Sequence, residues 1–331
     1  MTTSSHLSAP SVADATDADP SPTQPRWLPL AAALITMVLW ASAFVVIRAL
    51  SGAVDPGPLA LGRLLVGSLV LTAIALAGRR RSRSWPRGRA LALIIAYGVL
   101  WFGVYTIAVN AAGRHLDAGT SAMIVNLAPV IVAVLAGIFL GEGFPRQLML
   151  GLLIAFAGVV IIASASRTGV VDPRGVVLAL AAAGLYAVGV LLQKQALATV
   201  DPITVTWLGA LAGALATLPF LPRLVDQLST QPLAVTAGVV YLGVFPTAIA
   251  FLFWTYALAR TSAGRMAASS YLVPGIAVLL SWVFLEETPA LIALVGGAVS
   301  LAGVAITRVP RRPRPMIRLS SAGRAPRSTR R

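Results

Sequence analysis

Eleven carboxylates and two histidines are the carboxylate and imidazole groups of this chain of 331 residues, which has no cysteine. The acids are Asp14, Asp17, Asp19, Asp55, Asp117, Glu142, Asp172, Asp201, Asp226, Glu286 and Glu287, and each falls in a tail, a loop or the end of an apolar run. His6 and His115 stand far apart. An enzyme needs a convergent acid, base, nucleophile or metal set, and this spacing offers none. A lipid-modifying transferase or other membrane-embedded enzyme is therefore disfavoured, and no catalytic residue, metal or cofactor is expected. A carboxylate in mid-membrane, expensive to bury and typical of proton-coupled pumps for cationic drugs, is missing too.

One cation lies where only chemistry or a detour to water would put it. Arg63 follows Pro58 by about one and a half helical turns in an otherwise apolar run, where a guanidinium needs water, a carbonyl or an anion. It either snorkels to the headgroups or faces a central cavity. Aromatic and amide residues deep in apolar runs are Trp40, Tyr97, Trp101, Tyr105, Asn126, Tyr186, Gln193, Trp254, Tyr256 and Tyr271. Most such rings belong to interfacial belts. Those nearest mid-run suit a mostly apolar pocket with a few orienting polar groups, and an amide in hydrocarbon seeks partners. The candidate substrate lining is Trp40, Arg63, Trp101, Asn126, Tyr186 and Trp254. With no embedded carboxylate, such a pocket favours neutral, zwitterionic or anionic small molecules over dications.

The elements that must position these residues are membrane helices. The chain is 57% hydrophobic and 11% charged, with a mean hydropathy of +0.85. A bilayer core about 30 Å thick takes about 20 apolar residues per helix. Apolar runs recur at about 28–50, 58–77, 90–112, 116–140 and 146–165, then at about 175–197, 202–221, 233–258, 264–285 and 290–307. The expected fold is an all-α membrane protein of ten transmembrane helices. Residues 1–27 form a polar tail unable to bury a core, and no cleavable signal peptide is expected. Pro129, Pro246 and Pro274 should interrupt their helices. The spacings Gly137 to Gly141 and Gly209 to Gly213 suit close helix packing.

The net charge of +15 raises nucleic acid as a partner, but its placement argues for lipid. Six arginines lie in RRRSRSWPRGR at 79–89 and nine in the tail from Arg308 to Arg331, clusters that suit anionic lipid at a cytoplasmic face. With both ends inside, 20 basic residues are cytoplasmic and five lie outside, Arg63 being the one within a helix. The positive-inside rule therefore expects cytoplasmic termini in a cell-membrane protein.

The two sets of runs are copies. At an offset of 146, Trp40 meets Tyr186, Arg48 meets Lys194 and Asp55-Pro56 meets Asp201-Pro202. At 145, Gly98 meets Gly243, Pro129 meets Pro274, Glu142 meets Glu287 and Gly158-Val159 meets Gly303-Val304. Five helices per copy, an odd number, make the second enter the membrane from the opposite side. The expected organisation is thus a tail 1–27, an inverted repeat of 28–165 and 175–307, and a basic tail 308–331. Inverted halves suit secondary transporters, and a structural subunit docking through its basic tail is the alternative class.

In these features the chain resembles the EamA family of the drug/metabolite transporter superfamily. The resemblance is carried by WASAFVVIR at 40–48, DPGPLALGR with Arg63, Pro129 with Glu142, Pro274 with Glu287, and the closing runs GLLIAFAGVVII and GGAVSLAGVAI. It implies ten helices, a cytoplasmic-membrane location and transport, commonly export, of amino acids, other metabolites or drugs. No single substrate is implied.

Overall fold

The structure is a computed structural model that describes residues 27–77, 85–141, 143–144, 146–165 and 172–286, with isolated positions between 291 and 306. Residues 1–26, most of the arginine-rich loop, Glu142, Glu287, most of the tenth apolar run and the basic C-terminal tail lie outside the described residues. Among the described residues every regular element is helical. In chain order they are α1 (Trp27–Leu50), α2 (Pro56–Ala77), α3 (Gly88–His115) and α4 (Ala118–Phe139), then α5 (Arg146–Ala165). The second set is α6 (Pro173–Ala196), α7 (Pro202–Thr230), α8 (Leu233–Arg260) and α9 (Ala263–Leu285). Eight of these are long and apolar enough to span a membrane, and α5 holds a shorter apolar stretch, Arg146–Gly158.

Local chemistry sets the helix starts. Asp117, Asp172 and Asp201 cap α4, α6 and α7, each accepting a hydrogen bond from a first-turn backbone N–H, that of Thr120, Arg174 and Thr204 respectively. Such caps satisfy donors that the helix itself leaves open. Proline at the first position of α6 and α7 loses nothing there, because that N–H has no helical partner.

The prolines do interrupt, and they do so in register. Asn126 and Leu127 form a turn inside α4 just before Pro129, and Ser269–Tyr271 form a 3-10 turn inside α9 just before Pro274. A proline disfavours helix in the residue before it and donates no N–H. Wide π turns also recur, at Gly98–Tyr105 in α3 and Gly243–Ile249 in α8. In the second, Pro246 leaves the carbonyl of Leu242 without its usual N–H, and the Thr247 hydroxyl donates to it at 2.8 Å.

Packing follows the same exchange. Helix α1 packs on α8 and α9 while α6 packs on α3 and α4; α2 packs on α7 and α8 while α7 packs on α2 and α3. Swapping the copies maps this set of contacts onto itself. Glycines allow the closest approaches: a Cβ at Gly98 would overlap the carbonyl of Gly209, and one at Gly243 would lie 2.5 Å from Val66 Cβ and 2.8 Å from the Arg63 carbonyl.

Two expectations need correction. The seventh run does not end near 221, since α7 continues through a 3-10 turn at Leu218–Phe220 to Thr230. That extension, LPRLVDQLST, is amphipathic: Leu224 is buried while Val225 is exposed, so apolarity stops being continuous although the helix does not stop. Gly209 and Gly213 do face α3, but Gly137 and Gly141 are not a helix-packing pair. Gly137 faces Phe144, and Gly141, with φ of 65°, is the left-handed residue that ends α4, a conformation open to glycine at little steric cost.

Candidate functional site

A narrow cavity of about 50 Å³ lies among seven helices drawn from both copies. Its walls are Trp40, Ala43, Phe44 and Ile47 of α1, Arg63 of α2, and Trp101, Phe102, Tyr105, Thr106 and Val109 of α3. Val125 and Asn126 of α4, Tyr186 of α6, Thr247 and Phe251 of α8, and Ser270 and Val273 of α9 complete them. Of the six residues expected from the sequence, the structure brings five onto this one surface: Trp40, Arg63, Trp101, Asn126 and Tyr186.

Arg63 faces the cavity, not the headgroups, and is only 7% exposed. Its Nε donates to Thr247 Oγ1 at 3.0 Å. That hydroxyl in turn donates to the Leu242 carbonyl, so the π turn of α8 aims the guanidinium. Both terminal nitrogens are without a hydrogen bond to any described residue, and no described carboxylate pairs with Arg63. The ion pairs among described residues lie elsewhere, Arg114 on Asp55 at 2.6 Å and His115 on Asp172 at 2.6 Å, with Arg223 3.7 Å from Asp55. A buried charge without a partner is strongly disfavoured, so the two terminal nitrogens are free to serve a polar group that enters the cavity.

Asn126 occupies the turn in α4. Its Nδ2 donates to the Ala122 carbonyl at 2.6 Å, while its Oδ1 is buried with no partner. Trp40 is held by its indole N–H on the Pro246 carbonyl at 3.2 Å. Its ring lies 6.2 Å from both Trp101 and Tyr186, and Trp101 meets Tyr186 edge-on at 4.8 Å.

Trp254 stands behind this wall and not on it. It is fully buried, 4.8 Å from Trp40 between ring centroids, and its indole N–H donates to Gln193 Oε1 at 2.9 Å. Gln193 Nε2 in turn donates to Tyr97 Oη at 2.9 Å and Thr255 Oγ1 at 2.8 Å, and Thr206 joins at Thr255. This knot joins α3, α6, α7 and α8. The repeat register gives it a counterpart: Gln193 corresponds to Ile47 at 146 residues and Trp254 to Val109 at 145. Ile47 and Val109 line the cavity. At these two positions the first copy has small apolar side chains on the cavity and the second has the buried polar pair of the knot.

Contacts at the loop ends also tie the copies. Asp55, before α2, accepts from Arg114 of α3 and from Gln227 Nε2 of α7 at 2.8 Å. These two hydrogen bonds, that from Arg114 first, hold its carboxyl below the usual carboxylate range. Asp172 is likewise held low by the Arg174 backbone N–H and then by His115. Arg48 donates to the Gly113 carbonyl at 3.5 Å, and its repeat counterpart Lys194 donates to those of Leu258 and Thr261 at 2.8 and 2.6 Å.

Sequence reasoning missed Thr247, Phe44 and Ser270, and noted Gln193 without placing it. The signal for Thr247 is its position directly after an intrahelical proline, where a hydroxyl can serve the orphaned carbonyl.

Comparison with known proteins now adds identity to geometry. The model of the EamA-like transporter family matches residues 27–164 and again 173–309. The probable terminal-alkyne amino-acid exporter of Streptantibioticus cattleyicolor is 38% identical over 82% of this chain and 91% of its own length. The uncharacterized transporter YdfC of Bacillus subtilis is 31% identical over 81% and 87%. The probable amino-acid metabolite efflux pump of Salmonella typhimurium is 26% identical over 83% and 92%. A solved crystal structure shares the fold, with a TM-score of 0.68 at 22% identity over 86% of this chain and 97% of that one. By the family match in both halves, this multi-pass membrane protein, a transporter and not an enzyme, belongs to the EamA-like transporter family.

Proposed function

We propose that the chain exports amino-acid-like solutes across the cytoplasmic membrane as a secondary transporter, by alternating access between two inverted copies of five helices. One observation carries the substrate class: the buried Arg63 guanidinium, aimed into the cavity by Thr247 and left without a carboxylate among the described residues. Its free fork suits the two oxygens of a carboxylate, a match that lysine lacks. The names of the S. cattleyicolor and S. typhimurium relatives, a probable terminal-alkyne amino-acid exporter and a probable amino-acid metabolite efflux pump, support this choice.

Alternating access is supported by the repeat. Related halves that can exchange conformations open a shared site first to one side and then to the other, and here matching positions of both copies line one cavity: Trp40 with Tyr186, Phe102 with Thr247, Thr106 with Phe251 and Val125 with Ser270. Trp40, Arg63, Trp101, Asn126 and Tyr186 form the substrate wall, with Trp254 as its backing. The repeats span 28–165 and 175–307, the tenth run completes ten helices, and tails 1–27 and 308–331 lie in the cytoplasm, where the basic loop and tail meet anionic lipid.

The test is counterflow of radiolabelled apolar amino acids in proteoliposomes holding the purified chain, with empty vesicles as the control. Uptake above control for at least one of them is expected. Equal uptake by both vesicle types for the whole set of amino acids would remove this reading.

A further inference from the structure

We infer that the cavity has separate seats for the two charges of a zwitterion, with Asn126 as the residue that reads the ammonium group; this rests on the transport reading above. Arg63 is donor-only and positive, so it specifies an anionic group and says nothing of what else the solute carries. Asn126 supplies the opposite requirement. Its amide orientation is set, because Nδ2 faces the Ala122 carbonyl at 2.6 Å and a flipped amide would press two acceptors together. Oδ1 is therefore the acceptor and, like Tyr186 Oη on the same cavity, it is buried without a partner among the described residues, in a residue only 4% exposed. Buried acceptors are nearly always paired, and an exception calls for an explanation. A substrate N–H supplies one.

The surroundings agree in sign. Trp40, Trp101 and Tyr186 crowd the same wall, and ring faces attract a cation in a desolvated site. Ile47, Val109 and Val273 give the remainder of the cavity an apolar character, which suits an uncharged tail. A carboxylic acid lacking the amine leaves Oδ1 orphaned, while an amine lacking the carboxylate adds a cation beside an unneutralised guanidinium. A pocket discriminates most strongly when the wrong solute leaves its buried polar groups unpaired.

The experiment uses L-norvaline, pentanoate and L-norvalinamide in proteoliposomes, with transport and the rise in melting temperature of the purified wild-type protein as two readouts. L-norvaline should be moved at least about tenfold faster than either analogue and should alone raise the melting temperature. In Asn126→Leu, the ratio of the L-norvaline rate to the pentanoate rate should collapse to about one, whereas general damage lowers both rates and keeps their ratio. If wild type moves pentanoate, which lacks the amine, as fast as L-norvaline, the ammonium seat is overturned while the transport reading stands. Equal movement of the amide overturns the carboxylate seat. If none of the three is moved or protects, while other apolar amino acids are, the tail argument is wrong; if no amino acid moves, the transport reading fails with it.

Discussion

Replacing Arg63 by lysine keeps the charge and removes the planar fork, which separates recognition of a carboxylate from mere presence of a cation. Arg63→Lys is expected to lower transport by about tenfold or more at equal membrane abundance, the scale of one lost charge-assisted hydrogen bond. A near-normal rate would show that the fork is not used. Thr247→Val should act differently: it removes the acceptor of Nε and one hydrogen bond of the Leu242 carbonyl, so the protein should lose about 1–3 kcal/mol of stability as well as activity, read as a lower melting temperature. At this scale the sequence was largely legible. A guanidinium, an amide and two tryptophans stand out in apolar runs because each is costly or bulky there, and those residues reach the wall. Trp254 marks the limit: depth along a run can be counted from the sequence, but the face of the helix cannot when every face is apolar. Thr247 hid for a related reason, since a threonine in a helix ordinarily bonds back to its own turn.

Among the elements, the Gln193 knot is the feature whose removal should change shape more than stability. Giving the second copy the residues of the first, Gln193→Ile with Trp254→Val, should open a cavity on the knot side. The natural chain has no cysteine, so single cysteines at Val109 and Ala257 report access cleanly. In the parent, maleimide should label position 109 much faster than 257, and the double substitution should raise labelling at 257 several-fold. Unchanged labelling would assign the knot to packing alone. The tie at Asp55 has its own test. Its carboxyl is held below the ordinary range, so its contribution is complete above that range and is lost as pH falls through the lowered value. Melting temperature should therefore drop in acid more for the wild type than for Asp55→Asn. The prolines announced the turns of α4 and α9, because a missing N–H is a local fact. The π turns were not announced, for the width of a turn depends on which neighbour packs against it.

For the whole molecule, orientation is the expectation that chemistry in the loops decides. Reporter fusions at both termini should read cytoplasmic, and a reporter placed between α5 and α6 should read external, because five crossings separate it from the N-terminus. A cytoplasmic reading there would replace the inverted relation by a parallel one. The duplication was legible because the offsets stay at 145 or 146 over most of the chain. That helices of one copy pack chiefly on those of the other was not legible, since a repeat in sequence does not say whether its copies stack side by side or interlock.

The glycine at 243 has a mechanical consequence. Because it has no side chain, the π turn of α8 rests directly against the backbone that carries Arg63, while Thr247 in that same turn grips the guanidinium from the other end. Backbone and side chain of one arginine are thus both fastened to a single joint. Any tilt of α8 relative to α2 would drag the charge with it, so the position of the guanidinium and the posture of the wall are one mechanical variable. On the transport reading proposed above, a carboxylate seated at Arg63 would bear on that same joint.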